Sequence, residues 1–142
     1  MKFKNASDAI DALGLLPLEG EGGYFSVQHR DEFGNAIYFM VTPEQFSGWH
    51  KLKERETWVF LDGAPLELLT KYQSETHQST TLSFADVHSI LPDTWMAART
   101  TGNFSLVLCF LAPAFSNMEL LDKSKLEEWR ASDPQIPELI HE

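Results

Sequence analysis

A single cysteine, Cys109, stands in the 142-residue chain, inside the apolar run SLVLCFLA. An internal disulfide and a multi-cysteine metal knuckle are both excluded. Basic residues are also scarce, 11 Lys and Arg against 21 Asp and Glu, for a formal net charge of -10. Phosphate backbones and acidic membrane surfaces are held by concentrated positive patches, so neither nucleic acid nor a membrane is expected as a partner. No stretch approaches the ~18 uncharged apolar residues of a membrane-spanning helix. The opening MKFKNASDAIDALGLLPLEG lacks the continuous apolar core of a secretion signal. No internal repeat, low-complexity tract or interdomain linker is visible. These absences lead to the expectation of one cytoplasmic domain over residues 1–142.

What is present is hydrophobic and aromatic: 43% of residues are apolar, with 10 Phe, 4 Trp and 3 Tyr. A chain of this length buries about 68% of the surface that its unfolded form exposes, enough for one core. Ser7 is a candidate N-cap for a short helix from Ser7 to Leu13, with Ile10 and Leu13 at helical spacing and a stop at Gly14. From Tyr24 to about Ala112 the pattern becomes short runs of Phe, Val, Tyr, Trp and Thr, broken by DEFGN, TPEQFSG, LDGAP, SETHQS, LPD and TTGN. Strands are predicted at YFSVQHR, AIYFMVT, ETWVFLD, PLELLTKY, TTLSF, VHSIL and FSLVLCFLA, which is the pattern of an all-β sandwich or barrel. A C-terminal helix is predicted at about 122–132, capped by Asp122 or Ser124. The prolines of DPQIPELIHE leave that segment as an extended tail.

One stretch carries a spacing motif, WHKLKERETWVFLDGAPLEL from Trp49 to Leu68. His50-x-Leu52-x3-Glu56-x6-Gly63 keeps the frame H-x-H-x3-E-x6-G, the first motif of the cupins, with Leu52 in place of the second histidine. Of the second motif, P-x-G-x2-H-x3-N, only Pro92 survives, and Ala97 stands at the histidine position. The blocks LPLEGEGGYF (16–25), AIYFMVTPEQFSGWHK (36–51), RETWVFLDGAPLEL (55–68), PDTWMAAR (92–99) and SLVLCFLAPAF (105–115) follow in order. Together they resemble the small uncharacterised single-domain cupins of a domain-of-unknown-function branch. That resemblance implies a double-stranded β-helix, the cupin jelly-roll barrel, over about 22–115, a homodimer, and kinship with a superfamily that includes nucleotide-sugar epimerases and isomerases. A family H-P-E-G-G block is Leu18-Glu19-Gly20-Glu21-Gly22-Gly23 here, and a histidine common after the family tryptophan is Val59.

A transition metal held tightly needs three or four converging ligands, and this frame supplies two, His50 and Glu56. No resident metal or cofactor is therefore expected. Strand alternation sends Trp58 and Phe60 inward with Glu56, and Thr57, Val59 and Leu61 the other way. The expected site is a barrel-mouth cavity walled by Tyr24, Tyr38, Trp49, Trp58 and Trp95. In it His50 and Glu56 form a catalytic acid/base pair, and Arg99 is a forked clamp for an anionic ligand group. Plainer readings stand beside these: a structural His50–Glu56 pair, core tryptophans, and Arg99 paired with one of the many acids. His29, His77 and His141 read as surface residues, Cys109 as an inert core thiol, and His88 has no assigned face. Gly22-Gly23 precedes a strand, so it reads as a turn or bulge. The expected partner is a small molecule, with a sugar or sugar nucleotide acted on by an epimerase- or isomerase-like enzyme as the first reading. The alternatives are a non-catalytic metabolite-binding or sensor domain and, behind it, a metal-dependent cupin with His50 and Glu56 as the candidate ligands of a divalent metal.

Overall fold

The turn signals divide the chain into eleven strands and two helices, and the computed structural model describes them over residues 2–142. Helix α1 (Ala6–Leu13) is followed by β1 (Leu16–Pro17), β2 (Tyr24–Asp31), β3 (Gly34–Val41), β4 (Ser47–Leu52), β5 (Arg55–Gly63) and β6 (Leu66–Tyr72). Then come β7 (Gln78–Leu82), β8 (Val87–Ile90), β9 (Thr94–Thr100), β10 (Ser105–Ala112), β11 (Met118–Leu120) and helix α2 (Lys123–Arg130). The strands form two antiparallel sheets, β1-β2-β3-β10-β5-β8 and β11-β4-β9-β6-β7. This is the all-β jelly roll implied by the sequence.

Three apolar layers hold the sheets. Between them lie Phe39, Val41, Leu52, Trp58, Phe60, Leu66, Met96, Val107 and Leu111, the central core. On the outside of the first sheet, Met40, Phe104 and Leu106 are covered by Ala9 of α1 and by Leu15 just beyond it, with Tyr24 and Tyr38 packed against them. The outside of the second sheet is covered as well: Trp49, Leu69, Trp95 and Ala97 meet Leu126 of α2 and Ile136 and Leu139 of the tail. A sheet buried on both faces loses the alternation that marks a half-buried strand. For that reason β4 and β9, where SGWHKL and TWMAAR are almost wholly buried, are absent from the strands predicted by pattern, as are the short β1 and β11.

Both helix starts follow from capping. Asn5, not Ser7, caps α1, its Oδ1 accepting from the Asp8 N–H at 2.8 Å, while Gly14 closes the helix at φ 65°. Ser7 falls inside the first turn because the acceptor must stand three residues before the donor it satisfies. Asp122 caps α2 in the same way, through the Lys125 N–H at 2.8 Å. Among the described residues no helix is long and apolar enough to cross a membrane.

Candidate functional site

A cavity of about 170 Å³ opens at one end of the barrel. Its walls are apolar, from Phe25 and Val27 of β2, Ile37 of β3, Leu52 of β4, Cys109 and Leu111 of β10, Phe115, and Met118 of β11. Two acids and a histidine face it, Glu21, Glu56 and His50, only 7%, 6% and 2% exposed, and Arg30 lines it as well. Strand register explains how two of them meet. Glu56 lies beside Leu111 on the inner face of the first sheet, whereas His50 lies beside Met96 on the inner face of the second. Glu21 comes from the loop between β1 and β2. There Gly22 and Gly23 take φ 93° and 81°, a conformation that L side chains rarely adopt, and the turn closes with Leu18 N–H on Gly23 O at 2.9 Å.

The contacts assign protons to atoms. His50 Nδ1 lies 2.7 Å from Gly48 O; a carbonyl only accepts, so Nδ1 carries a proton there and Nε2 is the ring nitrogen left for the cavity side. Nε2 faces Glu21 Oε2 at 3.6 Å, and the same oxygen accepts from Ser47 Oγ at 2.6 Å. The partner of His50 is thus Glu21 and not the expected Glu56. Glu56 is held separately, its Oε1 accepting from the Trp58 indole N–H at 3.0 Å. Burial, reinforced by the Glu21 and Glu54 carboxylates, pushes Glu56 up to about 8 despite that bond. At neutral pH it is a carboxylic acid, able to donate a proton. Burial likewise pushes the Cys109 thiol well above its usual value, so Cys109 is an inert wall residue, as its apolar run predicts.

Most of the predicted wall lies elsewhere, by one residue of strand parity. Trp49 points away from its neighbour His50 into the outer cluster, where its ring and that of Trp95 each pack edge-on to Trp129. Tyr24 and Tyr38 pack toward α1; their neighbours Phe25 and Ile37 line the cavity instead. Trp58 does turn inward with Glu56 and Phe60, but touches the site only through its indole bond. Arg99 sits on β9 at the register position of Glu67, to which its Nε donates, and is no anion clamp for this cavity. Burial raises Glu67, but bonds from Ser79 and Arg99 outweigh it and leave the carboxyl below its usual value.

The remaining histidines divide. His29 is exposed beside Asp31. His77 is not free on the surface: its ring and backbone N–H both reach Asp133, at 2.8 and 2.7 Å. His141 is part-buried against Phe46. His88 lies beside Trp58 in register and lines a separate depression with Thr70 and Tyr72.

Two further cavity residues, Asn35 and Arg30, carry no motif signal. Asn35 Oδ1 accepts from the Phe115 N–H at 2.6 Å, and Arg30 Nη2 donates to Phe115 O at 2.8 Å, so both fix the Phe115 wall. Glu21 did leave a trace, as the acid immediately before the glycine pair.

The donor set does not fit a tightly held transition metal. Leu52 occupies one ligand position of the motif. Ala97, at the other, faces the outer cluster, and the residue opposite His50 is Met96. Among the described residues no group of three or more His, Cys, Asp or Glu is arranged to hold a metal ion.

Known proteins agree with this fold. A protein from Shewanella oneidensis superposes with a TM-score of 0.88 at 22% identity, covering 98% of this chain and 99% of that one. A hypothetical protein from Leishmania major gives 0.80 at 22% identity over 91% and 94%, and a cupin-2 domain from Rhodospirillum rubrum gives 0.67 at 17% over 82% and 80%. No curated protein matches the sequence. The family model described as "Cupin superfamily (DUF985)" matches residues 7–120, and with most of its length so matched the chain belongs to that cupin family.

Proposed function

We propose that the cavity binds a compact carbonyl compound of sugar size or smaller and moves a proton on it, as an isomerase or epimerase does. The observation that carries this reading is the convergence on one cavity of a Glu21–His50 pair and a separately held, protonated Glu56. His50 Nε2 takes the proton from the carbon beside the carbonyl, and Glu21 steadies the imidazolium that forms. The Glu56 carboxyl donates to the carbonyl oxygen as negative charge builds there, giving an enol. Return of a proton to carbon and of the enol proton to Glu56 completes the turnover with both residues restored. Two titratable groups held apart in protonation by their surroundings are what such acid/base chemistry requires.

Size and charge narrow the substrate. An apolar cavity of ~150 Å³ takes a benzene-sized molecule, so a space of about 170 Å³ admits the reacting end of a ligand and no nucleotide with it. With Arg99 on another face, the nearest cation is Arg30 at the Phe115 wall. A neutral substrate suits two acids better than a phosphorylated one. A cytoplasmic homodimer is the setting we propose with it, from the single cysteine and the family resemblance.

The test is proton exchange at carbon. The purified protein is mixed in D2O with small aldoses, ketoses and α-hydroxyketones, and loss of the proton beside the carbonyl is followed by NMR. Exchange that drops at least ~100-fold in His50→Ala and Glu56→Ala supports the reading. A compound that raises the melting temperature yet never exchanges would leave a metabolite-binding domain in its place.

A further inference from the structure

We infer that the segment from Pro137 to His141 positions the Glu21–His50 pair, with His141 as its outermost anchor. The inference about turnover rests on the proposed function; the inference about geometry does not.

Both members of the pair take their polar anchors from one short stretch. Ser47 donates to Glu21, and Gly48 supplies the carbonyl that sets the His50 tautomer. That stretch is gripped by the tail. Leu139 O accepts the Trp49 backbone N–H at 2.8 Å, and Pro137 O accepts the Trp49 indole N–H at 2.9 Å. One residue beyond the stretch on its other side, the His141 ring stacks on Phe46 with centroids 3.9 Å apart and planes 12° from parallel. Its Nε2–H donates to Phe46 O at 2.6 Å.

The Glu21 loop is pressed into the same contact. The Gly48 N–H donates to Glu21 O at 2.7 Å. A Cβ at Gly48 would come within 3.2 Å of Leu139 O and 3.3 Å of Glu21 O, while one at Gly22 would overlap both the His141 ring and Phe46 O. Three backbones therefore meet with no side chain to space them: the Glu21–Gly22 turn, the start of β4, and the tail. Displacing the tail frees Gly48 and the Glu21 turn to shift, and the distance from Nε2 to Glu21 with them. The family match ends at residue 120, so this element belongs to the part of the chain outside it.

The test uses the full chain with three substitutions. His141→Phe keeps a stacking ring and loses the donor, His141→Ala loses both, and His141→Gln keeps an N–H at about the same reach. The tautomer of His50 is read from its ring nitrogen shifts by NMR, and carbon proton exchange is measured alongside. In His141→Phe and His141→Ala a second His50 tautomer appears, and turnover falls roughly 10-fold with KM held within about twofold. His141→Gln restores the single tautomer. Unchanged His50 ring signals in folded His141→Phe and His141→Ala would overturn the inference. If the unsubstituted protein exchanges no proton on any compound, the proposed function fails and the His50 tautomer still decides this one.

Discussion

The two faces of the sheet that carries β4 and β9 differ in kind. Inward, His50 and Leu52 meet a cavity with ionisable groups and water access. Outward, Trp49 and Trp95 meet Trp129, Leu126 and the tail in a closed aromatic layer. Residue type does not distinguish the faces, since a tryptophan serves a ligand wall as well as a core. Position does: neighbours on a strand face opposite ways, so a cavity that contains His50 cannot also contain Trp49.

The packing side carries the largest expected effect. Trp49→Ala removes a side chain 1% exposed from the outer layer and is expected to cost about 3–5 kcal/mol in urea unfolding. A loss below about 1 kcal/mol would mean that this layer is not a core.

Next in size is the cavity side, where Glu56 ties stability to pH. Its folded pKa is raised to about 8, so the native state holds a proton that the unfolded chain releases in the ordinary glutamate range. Stability is therefore greatest below that range and declines as pH rises through about 8. Glu56→Gln, which has no proton to lose, removes this slope and is more stable than the unsubstituted protein at pH 9 by up to a few kcal/mol. Parallel melting curves from pH 5 to 9 would refute the assignment.

Ser47→Ala should cost about 1–3 kcal/mol, because it strips the hydrogen bond from a buried Glu21 oxygen. Smallest is Arg99→Ala. The partly exposed pair with Glu67 is worth less than about 1 kcal/mol, and its loss leaves carbon proton exchange untouched. A lost exchange there would return Arg99 to the site.

The parts of this account legible in the sequence were those that depend on spacing within one strand or one motif. The frame from His50 to Gly63 located β5, and alternation along it placed Glu56, Trp58 and Phe60 inward, as they are. The cavity was less legible because it is assembled across strands. Phe25 rather than Tyr24, and Ile37 rather than Tyr38, face inward by register with β3 and β10, and no pattern within β2 or β3 states which face α1 will cover. Glu21 joins His50 through a loop contact at 26 residues from Ser47, a separation that no local spacing encodes. The tail, expected to be extended, instead turns at Asp133–Ile136 and Pro137–Leu139, and it contributes through carbonyls of Pro137 and Leu139 that carry no side-chain signature.

The acid/base chemistry proposed for the cavity depends on Glu56 holding its proton at neutral pH. The direct measurement is the NMR titration of the Glu56 side-chain carboxyl carbon, assigned by its disappearance in Glu56→Gln. A midpoint near 8 is the result expected from its burial beside Glu21. A midpoint in the ordinary glutamate range, about 4 to 5, would show a carboxylate at neutral pH and contradict the role of Glu56 as the acid.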